Sequence, residues 1–249
     1  MNILVTGANR GLGLTVVNAL IKHLPTDLSH TLFLTGRNLD SLNAAVHTSK
    51  TIIPNNINYR TFQCAFKHQE DTLDFLSGLP VLDHVFHTAA PYSHSKLSEA
   101  SLEERAIFES FAAAESTLLI EANKKLTFNG SLIAAGAIIA ETVHPKTPDA
   151  HPWYIGLSSI QKATLRSVMG GLAQERTENH RIAHANLGTF ISNKTAANQE
   201  KITAGLVLAT EDVATQLVHL ALSTEPLPDF NIDMMSATEQ VMLNTLRNH

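Results

Sequence analysis

The chain has 249 residues, enough for one large domain or two small ones, and its 44% apolar content suits a substantial core. Its net charge of −5, with histidines neutral and no long basic run, argues against nucleic acid or an anionic membrane as the main partner. The one cysteine, Cys64, excludes an intrachain disulfide and points to a reducing compartment.

Short apolar runs alternate with helix-length segments from end to end. Residues 3–6 read as a buried strand and 12 to about 24 as a helix. A strand over 31–35, a helix over 39–49, a strand over 58–64 and a helix over 72–79 follow. Then come a strand over 82–88, a long helix from about 102 to 125 and a strand over 131–135. A second long helix runs from 158 to about 178, with a strand over 181–187, a helix over 211–222 and a last strand over 230–234. Strands separated by helices imply right-handed crossovers and a parallel sheet covered on both faces. The expected fold is therefore α/β: a doubly wound parallel sheet of seven strands in three α/β/α layers, forming a single domain over 1–249. Segments 142–152 and 189–202 read as loops or short helices above the sheet's C-terminal edge, where ligands bind in such sheets.

No apolar run approaches bilayer-spanning length, and the start Met1-Asn2-Ile3-Leu4-Val5-Thr6-Gly7 is unlike a signal peptide. The expected location is the cytoplasm, with no membrane partner. The 13 histidines are scattered and lack the helical spacing of a zinc site, so no metal is expected.

The first strand runs directly into Thr6-Gly7-Ala8-Asn9-Arg10-Gly11-Leu12-Gly13, where a helix opens. Gly7 permits a tight turn, Gly11 lets the backbone approach a pyrophosphate, and Gly13 lets the helix pack closely on the sheet. The helix N-terminus adds free N–H groups and the positive end of its dipole. This is the context a dinucleotide-binding, Rossmann-type loop requires. An acid after the second strand would select NAD by accepting from the ribose 2′-hydroxyl. Gly36 holds that place here, followed by Arg37; with Arg10 it offers two guanidinium groups suited to a 2′-phosphate.

The spacing Thr-Gly-x-x-x-Gly-x-Gly resembles the short-chain dehydrogenase/reductase family. So do Thr35-Gly36-Arg37-Asn38, the strand ending Leu82 to Ala90, Lys162-Ala163-Thr164-Leu165, Leu187-Gly188-Thr189-Phe190-Ile191-Ser192 and Glu211-Asp212-Val213-Ala214. The resemblance implies NADP(H) as cofactor, held by Gly7, Asn9, Arg10, Gly11, Leu12, Gly13, Arg37, Ala89, Lys162 and Gly188. It also implies a homodimer or homotetramer built through the two long helices, the first carrying Ala112, Ala113 and Ala114. Two departures touch the cofactor and would weaken its affinity. Ala65 stands for the acid that meets adenine, and His87-Thr88-Ala89-Ala90 for Asn-Asn-Ala-Gly.

The family's carbonyl reductases use a Tyr as proton donor, a Lys one turn later, a Ser and an Asn. Of these, the resemblance carries over only Lys162. Ser158 takes the Tyr position, Ala137 the Ser position and Phe111 the Asn position. A serine hydroxyl is a far poorer acid than a phenol, and alanine cannot bond a developing alkoxide. Little ordinary carbonyl reduction is expected. Tyr154, His87, Tyr92, His144 and His151 are candidate substitute acids or ligand contacts. Tyr92-Ser93-His94-Ser95-Lys96 matches Tyr-x-x-x-Lys but falls too early in the chain, and reads as a chance match in a loop. Two functions stand nearly level: an atypical oxidoreductase of unknown substrate, or a cofactor-binding sensor or interaction protein without turnover; a third, a domain that has lost cofactor binding and offers only protein surfaces, leaves the intact glycine loop unexplained.

Overall fold

The computed structural model describes residues 1–48, 53–91, 98–136, 157–176, 179–188, 190–191, 196–225, 227, 230–237 and 240–241. Its elements in chain order are β1 (Asn2–Thr6), α1 (Gly11–His23), β2 (His30–Gly36), α2 (Leu39–Thr48), β3 (Ile57–Gln63), α3 (Gln69–Ser77) and β4 (Leu82–His87). They continue with α4 (Leu102–Lys124), β5 (Leu126–Ala135), α5 (Leu157–Glu175), β6 (Arg181–Leu187), β7 (Phe190–Ile191), α6 (Ala196–Thr203), β8 (Leu208–Ala209), α7 (Thr210–Leu222) and β9 (Asn231–Met234).

The main sheet has seven parallel strands in the order β3-β2-β1-β4-β5-β6-β9. The chain winds outward from β1 to β3, then returns to β4 on the other side of β1. The ends of β1 and β4 therefore flank the point where the winding reverses, and a crevice opens there in such sheets.

Alternation along each strand divides the core in two. In β1, Ile3 and Val5 join one apolar cluster while Leu4 joins the other. The first cluster takes Leu12, Val16, Val17 and Leu20 of α1 together with residues of α2 and α7. The second takes Leu76 of α3, Leu118 and Leu119 of α4, and Leu165 and Met169 of α5. The result is the three-layer α/β/α arrangement expected. Helix α4 starts at a capping box in which Ser101 Oγ accepts from Glu104 N (3.1 Å) and Glu104 Oε2 accepts from Ser101 N (3.0 Å). Such a cap contributes about 1 kcal/mol.

Three boundaries differ from the sequence reading. Strand β5 begins at Leu126, because Leu126 pairs with Leu82 before a register shift carries the pairing on to His84 and Ser131. Helix α3 begins at Gln69, its first turn carrying the exposed acids Glu70 and Asp71, which favour a helix N-terminus. The 189–202 segment forms most of the short helix α6, one of the alternatives read there, but also contributes β7, which pairs with β8 in a small parallel ladder. Among the described residues, no helix is long and apolar enough to cross a membrane.

Candidate functional site

The glycine loop leaves β1 at the point where the winding reverses. Gly7 has φ +69°, and a Cβ there would meet the Ala89 backbone at 2.9 Å, so the turn requires glycine and sets Ala89 against the loop. Gly13 lies so close to the Gly7 carbonyl that a Cβ would collide with it and would stand 2.6 Å from Thr88 Oγ1. Gly11 is different. Its φ is +55°, and a Cβ would meet nothing within 4 Å among the described residues. At Gly11 the loop is therefore left-handed, exposed and open beside the backbone. Arg10, the N-cap of α1, is extended and its side chain does not cap the helix; no acid stands in the first turn. The side chain of Leu12 is buried in the core, so what it can offer a ligand is its backbone N–H. Such an end attracts anions.

Beside the loop, the C-terminal edges of β2 and β3 form a cleft of about 900 Å³ lined by Asn9, Arg10, Arg37, Asn38, Ser41, Gln63, Ala65 and Lys67. Among the described residues, three cations line it and no acid does. Asn38 Oδ1 accepts from Ser41 N (2.8 Å), which starts α2 and holds this wall. A Cβ on Gly36 would meet Asn9 and Leu42 at 3.4 Å, an ordinary contact, so glycine is not sterically required there. On the β3 side, Phe66 has φ +50°, the left-handed region that costs a non-glycine residue roughly 1–3 kcal/mol. Its ring is buried edge-on to His87 (6.2 Å) and Phe111 (6.3 Å). Burying a Phe contributes about 1.5–3 kcal/mol, enough to offset the backbone cost.

At the other end of the crevice a polar network lies inside the core. His87 at the end of β4, Glu115 on α4 and Gln161 on α5 are 0%, 1% and 0% exposed. Thr6 Oγ1 accepts from the Thr88 and Ala89 N–H groups at 3.1 and 3.3 Å, so its own proton goes to His87 Nδ1 at 2.9 Å. That fixes the imidazole as the Nε2–H tautomer, and Nε2 donates to Glu115 Oε1 at 2.6 Å. Gln161 Nε2 donates to both Glu115 oxygens, at 2.6 and 2.7 Å. Lys162 follows on α5 and donates to the Ala135 carbonyl at 2.8 Å, at the end of β5. Burial pushes the Lys162 ammonium below its usual range, while the Glu115 carboxylate works against that shift.

Several expected site residues meet here and others do not. Gly7, Arg10, Gly11, Gly13, Arg37 and Ala89 surround the crevice. Gly188 lies at the end of β6, its N–H bonded to the Met234 carbonyl (3.0 Å). Ser158 sits one turn before Lys162 as the sequence implied, but is only 1% exposed. His87 is present at the site yet enclosed, with both ring nitrogens engaged, so it is not offered to a substrate. Phe111 faces the core beside Phe66; one turn further along α4, Glu115 is the residue that reaches the site. Tyr92, Ala137, His144, His151 and Tyr154 lie outside the described residues. The sequence reading missed Glu115, Gln161 and Lys67. For Glu115 a signal existed: it interrupts the apolar stripe Phe108, Phe111, Ala114, Leu118, Leu119 and Ala122.

A parallel doubly wound sheet whose first strand opens into an uncapped, glycine-lined helix N-terminus defines a dinucleotide-binding type of α/β fold. The fold is that of the short-chain dehydrogenase/reductases. One similar solved structure is a short-chain type dehydrogenase/reductase from Mycobacterium ulcerans, with 18% identity over 93% of this chain and 86% of that one and a TM-score of 0.72. Another is a short chain dehydrogenase from Burkholderia cenocepacia in complex with NADP, with 16% identity over 93% and 95% of the two chains and a TM-score of 0.72. A third is L-sorbose reductase from Gluconobacter frateurii complexed with NADPH and L-sorbose, with 16% identity over 94% of each chain and a TM-score of 0.69. No family model matches the chain, and no curated protein matches it.

Proposed function

We propose that this protein binds NADP(H) in the crevice above β1 and β4, with the adenosine half in the Arg10–Arg37 cleft. The observation that carries the reading is the Gly11 turn: left-handed, open beside its backbone and followed by a helix end with no side-chain cap. It leaves room and N–H donors for a pyrophosphate. Arg37 follows Gly36, which stands where an acid would select the unphosphorylated cofactor, and its planar fork suits a phosphate dianion. In this reading Gly7, Asn9, Leu12, Gly13, Ala89 and Gly188 shape the same crevice, and Lys162 would meet the nicotinamide ribose. A bound cofactor of this kind supplies hydride transfer. Similar structures crystallised with NADP or NADPH support the choice of cofactor.

For the reaction, the reading is an atypical oxidoreductase-type site with little ordinary carbonyl-reductase activity. Ser158 has replaced the expected phenol and is buried, and among the described residues near Lys162 no imidazole or phenol is presented to a ligand. That burial also favours the second reading, a cofactor-holding sensor or interaction protein without turnover. Assembly through the two long helices belongs to the same proposal. Leu102, Ile107 and Ile120 on α4 and Ile160 on α5 are exposed, and light scattering is expected to give a dimer or tetramer.

The test is fluorescence titration with NADPH of the wild type and Gly11→Val, followed by NADPH oxidation against a carbonyl panel. The variant adds a β-branched side chain at a positive φ and fills the open side of the loop, so binding is expected to disappear. Unchanged affinity would remove the site assignment. Turnover near the median of about 10 s⁻¹ for enzymes generally would remove the low-activity reading.

A further inference from the structure

The β3 side of the adenosine cleft holds a charge that the glycine loop and Arg37 do not account for. After β3 the chain passes through Cys64, Ala65, Phe66 and Lys67 before entering α3. Cys64 N donates to the Gly36 carbonyl at 3.0 Å, tying this segment to the end of β2, immediately before Arg37. Phe66 then adopts φ +50°, the one positive φ among the described non-glycine residues, and sends its ring into the core. With Phe66 turned inward, its neighbours Ala65 and Lys67 both line the cleft wall. A backbone outlier held by a buried ring thus fixes where Lys67 begins.

The chemistry of the cleft tells what the third cation suits. Its other described lining groups are two asparagines, a glutamine, a serine and an alanine, and among the described residues no carboxylate neutralises Arg10, Arg37 or Lys67 from within the lining. Ala65 offers no side-chain hydrogen bond to a purine. A ribose hydroxyl needs one acceptor and no cation. A phosphate monoester carries about −1.5 to −2 charges near pH 7 and has three acceptor oxygens, which three cations and the hydroxyl and amide groups can share.

We infer that Lys67 is a specificity-determining residue that holds the 2′-phosphate of the cofactor from the β3 side, completing a three-cation cradle with Arg10 and Arg37. The inference rests on the NADP(H) reading. Lysine acts as a mobile point charge on a flexible stem, so its contribution depends on charge and is sensitive to salt.

The experiment is calorimetric titration of the wild type, Lys67→Met and Lys67→Arg with NADPH, NADH, adenosine 2′,5′-bisphosphate and 5′-AMP. Lys67→Met is expected to weaken NADPH and the bisphosphate about tenfold and to leave NADH and 5′-AMP within about twofold. Lys67→Arg should restore most of the loss, and raised salt should shrink the gap. A wild type that prefers NADPH, loses that preference in Arg37→Asp and keeps it in Lys67→Met would overturn the Lys67 assignment alone. Equal losses for phosphorylated and unphosphorylated ligands in Lys67→Met would overturn it as well. A wild type with no preference for the 2′-phosphate would overturn it together with the NADP(H) reading.

Discussion

Replacing Glu115 by alanine is expected to destabilise the protein by about 3–5 kcal/mol. The carboxylate accepts three hydrogen bonds, one from His87 and two from Gln161, all between 2.6 and 2.7 Å. Truncation strands the His87 Nε2–H and the Gln161 amide in a site 1% exposed or less. A buried unsatisfied donor costs about 1–3 kcal/mol, and the vacated side-chain volume adds to it. Glu115→Gln separates this account from simple packing loss. Gln161 Oε1 is buried without a partner among the described residues, so the Gln161 amide can rotate and accept from the new amide at position 115. The network then survives with one donor–acceptor reversal, and the cost falls to about 1 kcal/mol. Urea denaturation followed by far-UV circular dichroism measures both. With a slope of about 3 kcal/mol per molar, Glu115→Ala should lower the midpoint by about 1–2 M and Glu115→Gln by about 0.3 M. Equal shifts for the two variants, or an alanine shift below about 0.5 M, would refute the hydrogen-bond assignment.

Burial, with Arg181 close by, holds the His84 imidazole down to about 4, below its usual 6.5. The unfolded chain therefore binds this proton before the folded one. Stability from this group is fully present above pH 6.5 and is lost as the pH falls toward 4, by about 3 kcal/mol in all. His84→Gln should flatten that stretch of the stability–pH curve measured by urea midpoints, and an unchanged slope would count against the burial argument. Gly13→Ala drives a Cβ into the Gly7 carbonyl, a backbone atom that cannot swing aside. A loss of about 2 kcal/mol, or roughly 4–8 °C in Tm, is expected. Gly171→Ala on α5 meets nothing within 4 Å among the described residues and should instead raise Tm by roughly 1–4 °C, both read by calorimetry. Gly36→Asp fits without collision beside Arg37 and should cut the NADPH:NADH affinity ratio at least about tenfold in a fluorescence titration.

The strand–helix alternation was legible because each core strand carries a short apolar run and each helix an apolar stripe. The glycine loop was legible because its three glycines differ in role: Gly7 and Gly13 have steric reasons, and Gly11 a left-handed backbone. Boundaries failed where the pattern was weak. Thr127, Phe128 and Asn129 at the start of β5 are half-buried or exposed and give no apolar run, and β7 and β8 are two-residue strands that no periodicity reveals. The polar network was hidden for another reason. His87, Glu115 and Gln161 lie far apart in sequence and satisfy one another only once β4, α4 and α5 are packed together. Lys67 was hidden because nothing in its local sequence announces a left-handed residue at Phe66.

Calorimetric titration of the wild type and Arg37→Asp with NADPH and NADH tests the central claim most directly. The wild type is expected to bind NADPH at least about tenfold more tightly than NADH. Arg37→Asp exchanges a cation for an acid beside the cleft and should weaken NADPH about a hundredfold while changing NADH by less than about threefold. Wild-type protein that binds neither dinucleotide, or an Arg37→Asp variant that loses both equally, would contradict the account.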